Sequence, residues 1–109
     1  MSKRGENLQG ALELLVLSTL DHEPNHGFGI TSFIAEASDG LLRVEEGSLY
    51  PALHRMEKAR LIAGSWSVTG NGRRARIYRL TDAGRTRLSE VRDTWRTVAK
   101  VVKKVLKYS

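Results

Sequence analysis

The sequence predicts a mainly α fold with a small β-hairpin, an α+β domain closed by one long C-terminal helix. Three observations predict it. Apolar residues recur at helical spacing in four stretches. Asn71-Gly72, a favourable hairpin pair, separates two strand-like runs. The last quarter of the chain carries an apolar heptad row with basic flanks.

The first helix is predicted over about Leu8 to Asp21, with Leu8, Leu12, Leu15, Val16 and Leu20 on one stripe. Leu14 and Leu17 widen that stripe nearly all round, so most of its surface needs cover. Glu23-Pro24-Asn25 stops the helix, because proline has no amide and the residue before it avoids α geometry. A second helix follows over about His26 to Ser38 and ends at Asp39-Gly40. Leu41 to Val44 reads as an extended connector, a candidate strand of the small sheet.

The third helix is predicted over about Glu46 to Ala59. Pro51 is expected in its first turn, where amides have no intrahelical acceptor, and Ser48 as its N-cap. Leu49, Leu53 and Met56 form the core stripe. Tyr50, Pro51, His54, Arg55 and Lys58 form a polar, basic and partly aromatic opposite face. Ile62 to Val68 alternates as a strand, Thr69 to Gly72 turns, and Arg76 to Leu80 returns. Thr81 is the expected cap of the last helix, about Asp82 to Tyr108. Leu88, Val91, Trp95, Val98, Val102 and Val105 are spaced alternately three and four apart, a seam that 109 residues cannot cover alone. Gly84, costly early in a helix, is expected at a close contact.

Composition narrows the function. There is no cysteine, which excludes a disulfide frame, a thiolate zinc site and a cysteine nucleophile, and fits the cytoplasm. Met1 to Gly10 lacks an apolar signal core, and the apolar run around Leu12 to Leu20 is too short and interrupted to span a bilayer. Net charge is +6, unevenly spread: residues 1–45 carry −4, residues 46–80 carry +5 and residues 81–109 carry +5. A basic sector of that kind attracts polyanions through counterion release.

His22-Glu23-Pro24-Asn25-His26 matches the zinc-protease pattern His-Glu-x-x-His. Pro24 breaks the continuous helix that the pattern requires, so no metal is expected there, and His26 is expected to cap or pack the second helix. There is no phosphate-cradling glycine loop, and Glu45-Glu46 are adjacent, not a spaced acid/base pair. No enzyme and no cofactor are expected.

The element order is helix, helix, short strand, helix, strand, hairpin, strand, long helix. That is the winged helix-turn-helix arrangement, whose third helix enters the major groove while the hairpin wing lies along the backbone. The predicted DNA-contacting residues are Ser48, Tyr50, Pro51, His54, Arg55 and Lys58 on the third helix, with Arg73, Arg74 and Arg76 on the wing. The predicted dimer interface comprises Leu12, Leu15, Leu88, Val91, Trp95, Val98, Val102 and Val105. Residues 1–81 would form the DNA-binding part and residues 82–109 the dimerisation helix, packed with helix 8–21 as one unit.

Four stretches carry a family resemblance: Leu12 to Leu17, His26 to Ile30, Val44 to Glu57 and Gly72 to Arg85. The Gly-Ser-Leu-Tyr-Pro-Ala-Leu run at 47–53 and the Tyr-Arg-Leu-Thr at 78–81 are the most specific. The chain resembles the PadR family of bacterial regulators over Leu8 to Leu106, in its short form with a single C-terminal dimerisation helix. The resemblance implies a homodimeric, repressor-like regulator on double-stranded operator DNA. It places Ser48, Tyr50, Pro51, His54 and Arg55 on the recognition helix and Arg73 and Arg74 on the wing. Two residues depart from the pattern. Phe28 replaces a usual tyrosine. Arg60 replaces a glycine that would accept left-handed geometry cheaply, so arginine there bears strain or the chain exits differently.

Two points stay open from sequence. Trp95 could be seam packing or could line an apolar pocket for a small planar effector. The basic face could serve a protein partner in place of DNA, since fold does not fix function.

Overall fold

The computed structural model describes residues 2–68 and 70–109, with side chains from residue 10 onward. Leu8, placed above on the first apolar stripe, and Thr69, in the hairpin turn, fall outside the side chains described.

Seven elements follow in order: α1 (Ser2–His22), β1 (Asn25–His26), α2 (Gly27–Ala37), α3 (Glu46–Lys58), β2 (Ile62–Val68), β3 (Arg74–Leu80) and α4 (Asp82–Leu106). The core collects Leu12, Val16, Leu17 and Leu20 from α1, Ile30 and Ile34 from α2, and Leu49, Ala52, Leu53 and Met56 from α3. Leu61, Ile62, Tyr78, Leu80 and Leu88 close it from the hairpin and α4. Among the described residues Thr19 is the one polar residue buried with them, and its hydroxyl donates to the Leu15 carbonyl at 2.8 Å, which satisfies the buried group.

The three strands are antiparallel in the order β1-β3-β2. The third strand is Asn25–His26, paired Asn25 to Tyr78 and His26 to Ile77. This corrects the expectation for Leu41 to Val44, which forms no strand. There the Ser38 hydroxyl accepts from the Leu42 amide at 3.0 Å and Leu42 and Val44 pack on the core, so the segment is held without a ladder. The hairpin also differs in its turn. Val68 pairs with Arg74, so the turn extends past Gly72 to Arg73, and Gly72 takes φ +82. Asn71 has no positive φ; its side chain accepts from the Arg73 amide instead, an Asx-type bond that favours the longer loop.

Helix ends follow identifiable chemistry. His26 caps α2 as expected, its ring Nδ1 accepting from the Gly29 amide at 3.0 Å. Pro24 leaves His22 on α1 and His26 on β1, on separate elements. α2 and α3 both close with paired bonds of the Schellman type, one spanning five residues and one spanning three. In α3 the Leu61 amide bonds the Met56 carbonyl and the Arg60 amide bonds the Glu57 carbonyl, each at 2.9 Å. That geometry puts Arg60 at φ +63. Of the two outcomes left open for this position, the chain keeps the left-handed exit and arginine bears the strain. Thr81 caps α4, its hydroxyl accepting from the Gly84 amide at 3.0 Å.

The start of α3 departs from the expected cap. Glu45 is the N-cap, without a side-chain bond, and its carbonyl already accepts from the amides of Ser48 and Leu49. Ser48 thus lies inside the helix, and Pro51 is its sixth residue rather than part of its first turn. The carbonyl that proline leaves without an amide donor belongs to exposed Gly47, where water reaches it.

Candidate nucleic-acid interface

Burying Leu49, Ala52, Leu53 and Met56 turns the opposite side of α3 to solvent by helical periodicity alone. Ser48, Tyr50, Pro51, His54, Arg55 and Lys58 are all exposed. They line one exposed face of the helix, which meets different neighbours at its two edges. Tyr50, His54 and Lys58 line a groove of about 620 Å³ between α3 and the wing, together with Glu57, Arg76 and Tyr78. Arg55 lines a separate hollow with Gly10, Glu13 and Arg87, on the flank toward α1 and α4. Arg73 and Arg74 lie at the wing tip, in a hollow shared with His26 and Phe28. Phe28 is exposed and stacks on His26 with centroids 6.4 Å apart.

Two glycines make this surface possible. A Cβ on Gly27 would stand 2.5 Å from the Tyr50 hydroxyl oxygen, so the first residue of α2 must be bare for the Tyr50 ring to pack there. A Cβ on Gly64 would stand 2.7 Å from Nε of Arg76, so β2 must be bare for that guanidinium to cross it.

Arg76 is held from several sides. Its Nη2 donates to Oε2 of Glu57 on α3 in an ion pair. Its guanidinium carbon lies 5.6 Å from the Trp66 ring centroid and 6.0 Å from that of Tyr78. The hydrogen bond that Arg76 donates to Glu57 holds its guanidinium above its ordinary pKa. Burial, then the Glu57 charge, pushes the Tyr78 hydroxyl above its ordinary value. Arg74 lies over the same Trp66 ring, its guanidinium carbon 4.8 Å from the centroid.

Sequence reasoning missed Glu57, Trp66 and Tyr78 as members of this surface. Helical spacing puts Glu57 near His54, but nothing local links it to a residue 19 positions later. The signal was in the hairpin register: Gly64 opposite Tyr78 and Trp66 opposite Arg76 place all four on one sheet face.

The predicted dimer seam divides in two. Leu12 and Leu88 are buried within the single chain, and Leu15 and Val91 are partly covered. α4 is tied to α1 here by Arg87, whose Nη1 donates to the Glu13 carboxylate at 3.3 Å. Beyond that point cover is lost: exposure rises from 37% at Trp95 to 47% at Val98 and Val102 and 64% at Val105. Among the described residues no helix is long and apolar enough to cross a membrane.

Residues 16–90, which include α2, α3 and the whole wing, match the model of the Transcriptional regulator PadR-like family. The chain belongs to the PadR-like family. It is 36% identical over 94 residues to the transcriptional regulator Rv3488 of Mycobacterium tuberculosis, covering 86% of this chain and 84% of that protein. A PadR family transcriptional regulator from Eggerthella lenta superposes with a TM-score of 0.79 at 32% identity, over 99% of this chain and 93% of the other. One from Bacillus cereus gives 0.79 at 31% identity, over 93% and 96%. PadR-like proteins are transcriptional regulators, not enzymes.

Proposed function

We propose that two copies of this chain bind one pseudo-palindromic operator in double-stranded DNA and repress transcription by occupying it. The observation that carries the reading is the placement of Tyr50, His54 and Lys58 on the open side of α3 beside Arg73 and Arg74 at the wing tip. An α-helix about 10–12 Å across fits a major groove about 12 Å wide, and arginines on a flanking hairpin meet the phosphates next to it. His54 and Tyr50 offer donors and acceptors to base edges. Ser48, Pro51 and Arg55 border them on the flank away from the wing.

The uncovered row from Trp95 to Val105 supports the second copy. An apolar stripe of that length in water is stable when another stripe covers it. Paired α4 helices would set the two reading helices one helical turn apart, about 34 Å. Trp95 stands where the seam leaves the chain's own core. A small planar apolar effector held beside it between subunits would change that spacing and release the operator.

Selection of bound fragments from the organism's own genomic DNA, followed by footprinting, tests the reading. It predicts protection of two half-sites related by two-fold symmetry. Equal, weak capture of every fragment would instead favour a module that binds a protein partner.

A further inference from the structure

We infer that Arg76 is a positioning residue, which ties the wing to the reading helix through Glu57, and is not itself a phosphate ligand. The inference rests on the DNA-binding reading above and assigns this arginine a role different from that of Arg73 and Arg74.

Four observations carry it. Glu57 supplies a charged acceptor from α3, and both side chains are about two-thirds covered, at 32% and 29% exposure. Trp66 and Tyr78 bring their rings to within 6.0 Å of the guanidinium carbon. Gly64 leaves the space the guanidinium crosses. The strand register fixes Arg76 opposite Trp66, so the contact is built into the hairpin and not reached by a wandering side chain.

A phosphate ligand needs its donors facing outward. A guanidinium paired to a carboxylate and flanked by two rings has part of its charge and donors already engaged, and gains less from a phosphate than an unpaired one does. What the pair does instead is span two elements separated by 19 residues. The hairpin is otherwise held in its lower half, where Leu61, Ile62, Tyr78 and Leu80 enter the core. The Glu57–Arg76 tie adds a second point of attachment further toward the tip. Two points fix the angle at which Arg73 and Arg74 meet the backbone while α3 lies in the groove.

The experiment compares Glu57→Gln, Arg76→Gln and the double variant with wild type, on a duplex from the promoter region of its own gene. Glu57→Gln raises the positive charge of the chain. If Arg76 were a phosphate ligand, freeing it would tighten binding. The tie predicts weakening by about tenfold. Arg76→Gln should weaken binding equally, with a salt slope within about 0.3 of wild type, where a lost phosphate contact removes about 0.9 per subunit. The double variant should bind no worse than either single one. Without DNA, amide exchange in β2 and β3 near Trp66 should quicken alike in both single variants. Tighter binding by Glu57→Gln, a reduced slope in Arg76→Gln, or unchanged exchange in both overturns the inference. Failure of wild type to bind any duplex would defeat the DNA reading alone, and the exchange measurement would still decide the tie.

Discussion

Gly84 sits directly against the Leu61 carbonyl: a Cβ on Gly84 would stand 2.0 Å from that oxygen. The same carbonyl accepts from the Thr81 amide at 3.1 Å, so it cannot swing away without breaking the junction of wing and α4. Glycine normally costs a helix about 1 kcal/mol relative to alanine. Here the sign reverses. Gly84→Ala should lose roughly 1–3 kcal/mol in urea unfolding, because backbone must move to admit the methyl. Gly10→Ala is the control: nothing lies within 4 Å of a Cβ at Gly10, so that variant should hold or gain stability.

Arg60 offers the opposite opportunity. Its φ of +63 places a side-chain-bearing residue in left-handed backbone, which the paired bonds from its own amide and that of Leu61 enforce. Relief of that strain outweighs the larger chain entropy of glycine. Arg60→Gly should raise unfolding stability by about 0.5–1 kcal/mol, measured by urea denaturation. A loss of stability would mean that the arginine side chain contributes more than its backbone costs.

The wing arginines should separate by salt. Arg73→Ala and Arg74→Ala should each reduce the slope of log affinity against log salt by about 0.9 per subunit and weaken specific and random duplexes alike. Arg55→Ala, on the far flank of α3, should cost roughly 1–3 kcal/mol on one operator base position if it reads guanine. Binding titrations at several salt concentrations, on operator and scrambled duplexes, check all three.

Trp95→Asp should separate the subunits and leave each folded. The residue is 37% exposed in the single chain, so a charge there is tolerated by the fold but not by a covered seam. Sedimentation should show a monomer with unchanged helical circular dichroism. An intact dimer would place the interface elsewhere. Leu88→Asp, by contrast, should unfold the chain, since Leu88 lies in its own core.

What sequence revealed and what it hid divide by distance along the chain. The caps at His26 and Thr81 and the core faces of α1 and α3 are set by residues within a few positions of one another, and each was legible; the glycine at 84 signalled a close contact, but not that its partner is Leu61. β1 was not, because two residues beside a proline carry no period; only pairing with Ile77 and Tyr78 makes them a strand. The α3 cap was misplaced for a similar reason. Pro51 suggests a helix start, yet the chain turns helical at Glu46, because the core claims Leu49 and the exposed Gly47 carbonyl tolerates the missing bond. The Glu57–Arg76 pair joins residues that no local pattern connects.

The central claim is that paired copies read a specific duplex through α3 and grip its backbone with the wing. Anisotropy titration of a labelled promoter duplex against its scrambled counterpart, across rising salt and with the stoichiometry measured, addresses it most directly. The account predicts two chains per duplex, at least about 10³-fold preference for the promoter, and a salt slope near −5 for roughly six phosphate contacts per dimer. One chain per duplex, or equal affinity for both sequences at every salt concentration, would contradict it.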